Sequence, residues 1–220
     1  MIPLRDVIPS RTVPVVTVAL IGLNVLGWFY ELMLPRDELE RFLHAFGAVP
    51  ASFSAVTLVT SMFLHGGWMH IIGNMLYLWI FGDNVEDHMG HVPFLLFYLL
   101  AGMLATLGQI AMTPESTLPT IGASGAIAGV MGAYLVLYPR SRVLTLVPIF
   151  FYIELIELPA VLLLGFWFVM QLFSAGAIAA TTDGQDGGVA FMAHIVGFLT
   201  GVASVFLFRR RRPINRYWMS

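Results

Sequence analysis

Ser124, in the run Ile121-Gly122-Ala123-Ser124-Gly125-Ala126, and His194, in Ala193-His194-Ile195-Val196-Gly197, are a hydroxyl and an imidazole that each sit inside an apolar stretch. A serine hydroxyl becomes an effective nucleophile when a neighbouring base takes its proton, and a neutral imidazole suits that task near neutral pH. His70 and Asn74, four residues apart and so on one helix face, add side-chain N–H groups of the kind that hold a developing oxyanion. Polar and titratable side chains at membrane depth cost about 2.5 kcal/mol or more, and their presence is by default a functional-site hypothesis. With no Asp or Glu at that depth, the chemistry these residues offer is a Ser-His dyad rather than a triad.

The surrounding elements are membrane spans. Hydrophobic residues make up 58% of the 220-residue chain and charged residues 11%, which is the composition of a polytopic membrane protein. Apolar runs near the crossing length of about 20 residues cover Val13 to Leu34, Leu64 to Phe81, Pro93 to Met112, Leu158 to Ala180 and Val189 to Phe208, with a shorter one from Ser124 to Tyr138. The expected fold class is therefore all-α, a six-helix membrane bundle forming one domain over residues 1–220, with a core of about 13–208 and a basic tail at 209–220. The first run continues at full length through Leu34, so it is read as a retained span rather than a removable signal.

Every basic residue is Arg. In a six-span arrangement Arg5, Arg11, Arg140, Arg142, Arg209 to Arg212 and Arg216 fall on one side and only Arg36 and Arg41 on the other. The positive-inside rule then places both termini in the cytoplasm. The Arg209 to Arg212 cluster reads as a topology anchor and an anionic-lipid contact. Two connections carry further content. Pro35 to Thr60 mixes charge with Phe42, Phe46 and Phe53 and is expected to be a structured element in the outer interface; Leu144 to Glu157 is read as an interfacial segment on the cytoplasmic side, with Glu154 and Glu157 a less favoured ion site.

Depth brings the polar residues together. The fourth span has only fifteen residues from Ser124 to Tyr138, about 22 Å at 1.5 Å per residue, against a hydrocarbon core of about 30 Å. Since this span must deliver Arg140 to the cytoplasmic surface, Ser124 lies below the outer surface. The sixth span enters from the same side near Gly188, which puts His194 roughly 9 Å down. His70 and Asn74, on a second span entering near Leu64, reach a similar level.

Each feature has a structural reading beside the chemical one. Gly122-Ala123-Ser124-Gly125 resembles a close-packing face, and Gly197-x-x-x-Gly201 is a helix-contact motif that would hold the sixth span against small residues such as those of the fourth. The absence of Cys excludes disulfides and thiol catalysis, no H-E-x-x-H motif supports a metalloprotease, and the spans lack the Asp pair of an aspartyl enzyme. No cofactor, metal or nucleic-acid partner is implied. A channel or transporter, motivated by Glu154, Glu157 and the polar residues at depth, is a competing class.

Gly122-Ala123-Ser124-Gly125, Ala193-His194 followed by Gly197, and His70-x-x-x-Asn74 followed by Gly82 and Glu86 together resemble the rhomboid intramembrane serine proteases from about Phe63 to Gly201. The resemblance implies Ser124 as nucleophile, His194 as general base and acid, Asn74, His70 and the Ser124 amide as oxyanion donors, and the fifth span as a lateral gate. Loosening that span at Phe166 or Trp167 would then raise activity if lateral entry limits the rate. Two features depart from relatives: Ala128 stands where some carry an aromatic residue that stacks on the histidine, and Val56 and Thr57 stand where some carry an aromatic-Arg pair. The alternative on the same fold is an inactive rhomboid-like protein that binds or escorts membrane helices.

Cleavage needs water and an exposed peptide bond. The short fourth span leaves a polar depression, expected to be lined by Thr113, Ser116, Thr120, Gly187 and Gly188. The expected partners are the lipid bilayer and membrane-protein substrates, single-pass or other, whose helices are weakened near their outer end. The expected setting is a multi-pass protein of a prokaryotic cell membrane.

Overall fold

The computed structural model describes residues 1–149, 152–181 and 190–208. A strand β1 (Ile2–Asp6) precedes helices α1 (Val15–Met33), α2 (Arg36–Phe46), a short α3 (Thr57–Thr60), α4 (Trp68–Met89), α5 (His91–Met112) and α6 (Ser124–Leu137). A hairpin of β2 (Arg142–Ile149) and β3 (Tyr152–Pro159) follows, then α7 (Ala160–Thr181) and α8 (Phe191–Phe208). Among the described residues, α1, α5, α8 and α7 as far as Ala177 are long and apolar enough to cross a membrane, and α6 is a shorter apolar helix. Helix α4 starts apolar but ends in Asp83, Asn84, Glu86 and Asp87, which lowers its hydropathy below that of a plain span.

Helix α6 runs through the centre. Ten consecutive residues from Gly125 to Tyr134 are buried, because α4, α5, α7 and α8 all touch it. Its closest neighbour is α8, where glycines leave no side chain between the backbones. A Cβ on Gly197 would stand 2.1 Å from the carbonyl oxygen of Gly125, and one on Gly132 would stand 2.2 Å from that of Phe198. Side chains larger than hydrogen at these positions would drive the two helices apart.

The fold is mostly helical and not all-α. The 144–157 segment, expected as an interfacial stretch, is part of a three-stranded antiparallel sheet in the order β1-β2-β3, with Ile2 opposite Leu146 and Leu144 opposite Glu157. Apolar residues there are interrupted by Thr145, Glu154 and Glu157, and the two strands are unequal: Val143 and Thr145 of β2 are buried, while Tyr152, Ile153 and Leu155 of β3 are exposed. A β-rich composition with only a short gap between its halves satisfies its backbone as a hairpin. Glu154 and Glu157 both lie on the exposed strand, and Glu157 meets Arg142 at 3.8 Å, so neither is a buried ion ligand.

Two carboxylates tie α1 to the rest. Glu86, fully buried on α4, accepts hydrogen bonds from the amides of Val16 at 2.9 Å and Thr17 at 2.7 Å, and from the Thr17 hydroxyl. It thereby satisfies orphan donors at the start of α1, where a helix also favours negative charge. At the other end of α1, buried Glu31 accepts the His65 amide at 3.1 Å. The 35–60 segment forms the amphipathic α2, in which Phe42 meets Tyr30 edge-on and Phe46 at a tilt, and then turns into α3. It braces the loop before α6: Ala48 and Thr120 exchange backbone hydrogen bonds, and the Gly122 amide donates to the Ser61 carbonyl.

Candidate active site

Ser124 is the first residue of α6, and Gly122 before it has φ +123°, a conformation that L side chains rarely adopt. His194 lies in the first turn of α8, with its side chain buried. The glycine contact between these helices brings the two together. His194 Nε2 is 2.8 Å from Ser124 Oγ.

The other ring nitrogen is also engaged. Nδ1 of His194 lies 2.8 Å from Oε1 of Gln171 on α7. An amide oxygen only accepts, so Nδ1 carries the proton and Nε2 presents its lone pair to the Ser124 hydroxyl. Trp167, one turn before Gln171, lies against the same ring with centroids 5.7 Å apart, and Phe191 meets it edge-on at 6.4 Å. The position that an aromatic residue would fill from α6, Ala128, is itself fully buried, and the ring packing comes from α7 and α8 instead.

His70 and Asn74 approach from α4. The Gly66 amide donates to His70 Nδ1 at 3.4 Å, which leaves Nε2 as the N–H of that ring. A Cβ placed on Gly122 would be 2.7 Å from His70 Nε2 and 3.8 Å from Asn74 Nδ2, so both donors border the turn into Ser124. Asn74 Nδ2 is further held 3.0 Å from Nε2 of His65, a buried residue that sequence reasoning passed over. Its signal was weak: His65 precedes α4 and shares no helical face with His70. Gln171 was passed over as well, although a single amide within the apolar stretch Ala160 to Phe173 is a legible oddity.

A small pocket at Ser124 is lined by Ser61, Thr106, Thr120, Ile121, Gly122 and Ala193. Of the residues expected to line a polar depression, Thr120 is in this wall, Thr113 and Ser116 are not, and Gly187 and Gly188 lie outside the described residues. Of the two positions considered for loosening α7, Phe166 is 53% exposed on the outer face while Trp167 faces His194. A hydroxyl within hydrogen-bond reach of an imidazole at a helix N-terminus, with N–H donors alongside, has the chemical parts that acyl transfer uses.

The rhomboid domain family model matches residues 52–211, most of the chain. The chain belongs to the rhomboid family. It is 32% identical to rhomboid protease GluP of Bacillus subtilis over 209 residues, covering 84% of this chain and 40% of that protein. It is 30% identical to the mitochondrial rhomboid protein 1 of Saccharomyces cerevisiae over 190 residues, 84% of this chain and 50% of the relative. A chloroplastic rhomboid-like protein of Arabidopsis thaliana is 31% identical over 155 residues, 68% of this chain and 51% of its own length. The chain thus spans about half the length of the curated relatives it matches. Its apolar helices and its family make it an integral membrane protein. Relatives named for mitochondria and chloroplasts stand beside bacterial ones, so family membership does not by itself point to a prokaryotic membrane.

Proposed function

We propose that this chain is an intramembrane serine endopeptidase that cleaves the transmembrane helices of membrane-protein substrates near their outer end. The observation that carries the reading is the 2.8 Å approach of His194 Nε2 to Ser124 Oγ at the N-terminus of a buried helix. In this reading α4 and α6 complete six spans, and the arginines before α1, after α6 and after α8 keep the sheet-bearing end cytoplasmic. Ser124 and the small pocket beside it then face the outer half of the bilayer.

His194 takes the Ser124 proton as Oγ attacks the scissile carbonyl carbon, and the carbonyl oxygen becomes an oxyanion. Asn74, His70 and the backbone amide of Ser124 are the donors proposed to receive that charge, at the positive end of α6. His194 then gives its proton to the leaving amine, and an acyl-enzyme on Ser124 remains. Water entering through the pocket loses a proton to His194, attacks the ester carbonyl, and releases the new carboxyl terminus as the proton returns to Ser124. A continuous helix hides its peptide bonds, so helices weakened by Gly, Ala, Ser or Pro fit this site best.

The test is labelling of the purified protein with a fluorophosphonate probe, alongside cleavage of a transmembrane substrate in proteoliposomes. Both signals are expected in wild type and neither in Ser124→Ala or His194→Ala. A folded wild type that takes no label but binds membrane helices would turn the reading to an escort protein. Ion flux that survives Ser124→Ala in the absence of cleavage would turn it to a transporter.

A further inference from the structure

We propose that Gln171 is a positioning residue that sets which nitrogen of His194 carries the proton, and so makes that ring a base toward Ser124. This rests on the serine-hydrolase reading of the site.

Packing alone does not make that choice. Trp167 and Phe191 constrain the plane of the His194 ring, yet an aromatic wall is indifferent to a half-turn about the ring's own bond and to proton position. Among the described residues no carboxylate is hydrogen-bonded to His194, so the usual orienting partner of a catalytic imidazole is missing. The Gln171 oxygen at 2.8 Å takes that place. It accepts the Nδ1–H, and the opposite tautomer would set the Nε2–H against the Ser124 hydroxyl while leaving the Nδ1 lone pair facing an acceptor.

Gln171 is also an expensive residue to keep there. It is 9% exposed in a helix whose neighbours Met170, Leu172 and Phe173 are exposed and apolar, so its amide is turned inward from an otherwise lipid-suited surface. Residues 164, 167, 168 and 171 lie on one face at helical spacing, and that face bears Leu164 in the core, Trp167 on His194 and Phe168 stacked on Phe198. The bond therefore spans α7 and α8, and the dyad is in its reactive form when α7 is seated.

The experiment compares Gln171→Met, which keeps length without an acceptor at that position, with Gln171→Glu, which keeps an acceptor oxygen, in the full chain in proteoliposomes. Gln171→Met is expected to lower kcat by 10- to 100-fold with KM within about twofold, and Gln171→Glu to retain kcat within a few-fold. Nitrogen-15 NMR of the His194 imidazole, assigned by difference against His194→Ala, is expected to give the Nδ1–H tautomer in wild type and a mixture in Gln171→Met. Equal impairment of the Met and Glu variants, wild-type kcat in Gln171→Met, or an Nε2–H tautomer in wild type would overturn the inference. If Gln171→Met does not fold, Gln171→Ala takes its place in the comparison. Should wild type and Ser124→Ala prove indistinguishable in turnover, the protease reading fails, and the NMR comparison still decides the role of Gln171 separately.

Discussion

Gly201 of α8 rests on the carbonyl oxygen of Gly129 in α6, so closely that a Cβ on Gly201 would stand 1.9 Å from that oxygen. This contact, one turn beyond that of Gly197 with Gly125, holds the helix of His194 against the helix of Ser124. Gly201→Ala is therefore expected to separate α6 from α8. The cost should be about 1 to 3 kcal/mol of stability, with turnover falling at least tenfold. Thermal unfolding in detergent and substrate cleavage measure the two effects; an unchanged Tm would mean the helices meet differently.

Asn74 and His65 form a chain whose second member holds the first. Asn74→Ala is expected to lower kcat by about 100- to 1,000-fold with little change in KM, as for the loss of one oxyanion donor. His65→Phe removes the acceptor 3.0 Å from Asn74 Nδ2 without touching the amide itself, and a smaller loss, near tenfold, is expected in kcat alone. Steady-state kinetics separate the two parameters, and an effect confined to KM in Asn74→Ala would rule out the oxyanion role.

Trp167 and Phe166 are neighbours in sequence with opposite surroundings. Trp167→Ala is expected to slow turnover by removing the wall of the His194 ring, while Phe166→Ala, on the exposed face, is expected to leave kcat within about twofold. Equal effects in a side-by-side assay would mean that α7 acts as a whole rather than through its inner face.

Glu86→Gln replaces a carboxylate that accepts with both oxygens by a side chain with one. The amides of Val16 and Thr17 then compete for a single acceptor, and unfolding should become easier by about 1 to 3 kcal/mol. Differential scanning fluorimetry tests this, and no change in Tm would mean that the start of α1 is held by packing.

Burial pushes the Asp6 carboxyl up to about 6, against the hydrogen bonds it accepts from Tyr134 at 2.6 Å and Asn84 at 3.0 Å. Since the unfolded chain holds this proton less tightly, the group's contribution to stability is full below about pH 4 and is lost as pH rises through about 6. Asp6→Asn keeps an acceptor for both partners and cannot ionise. Its Tm advantage over wild type should grow between pH 4 and pH 7.5; an advantage that shrinks over this range would show the carboxylate form to be the favoured one.

Much of this site could be read from the chain because membrane depth is one-dimensional. Counting residues from the ends of apolar runs grouped Ser124, His194, His70 and Asn74, side chains that meet around the start of α6, and the small residues at 197 and 201 pointed to the helix face that joins two of them. Depth carries no rotation. Which face of α7 looks inward depends on its packing against α8, so Gln171 and Trp167 were invisible as partners of His194 although both lie in plain view in the sequence. The hairpin was missed for a related reason: at a membrane surface, apolar residues interrupted by Glu suit either an interfacial helix or a strand, and the choice is made by pairing with residues far away in the chain.

That pairing has a consequence for biogenesis. Strand β1 has its partner, β2, some 140 residues later in the chain. At synthesis rates of roughly 5 to 20 residues per second, the first strand spends about 7 to 28 s without a neighbour while the intervening helices are made. The sheet is thus a late closure, and until it forms Ile2–Asp6 is an unpaired edge, open to any other strand that reaches it first.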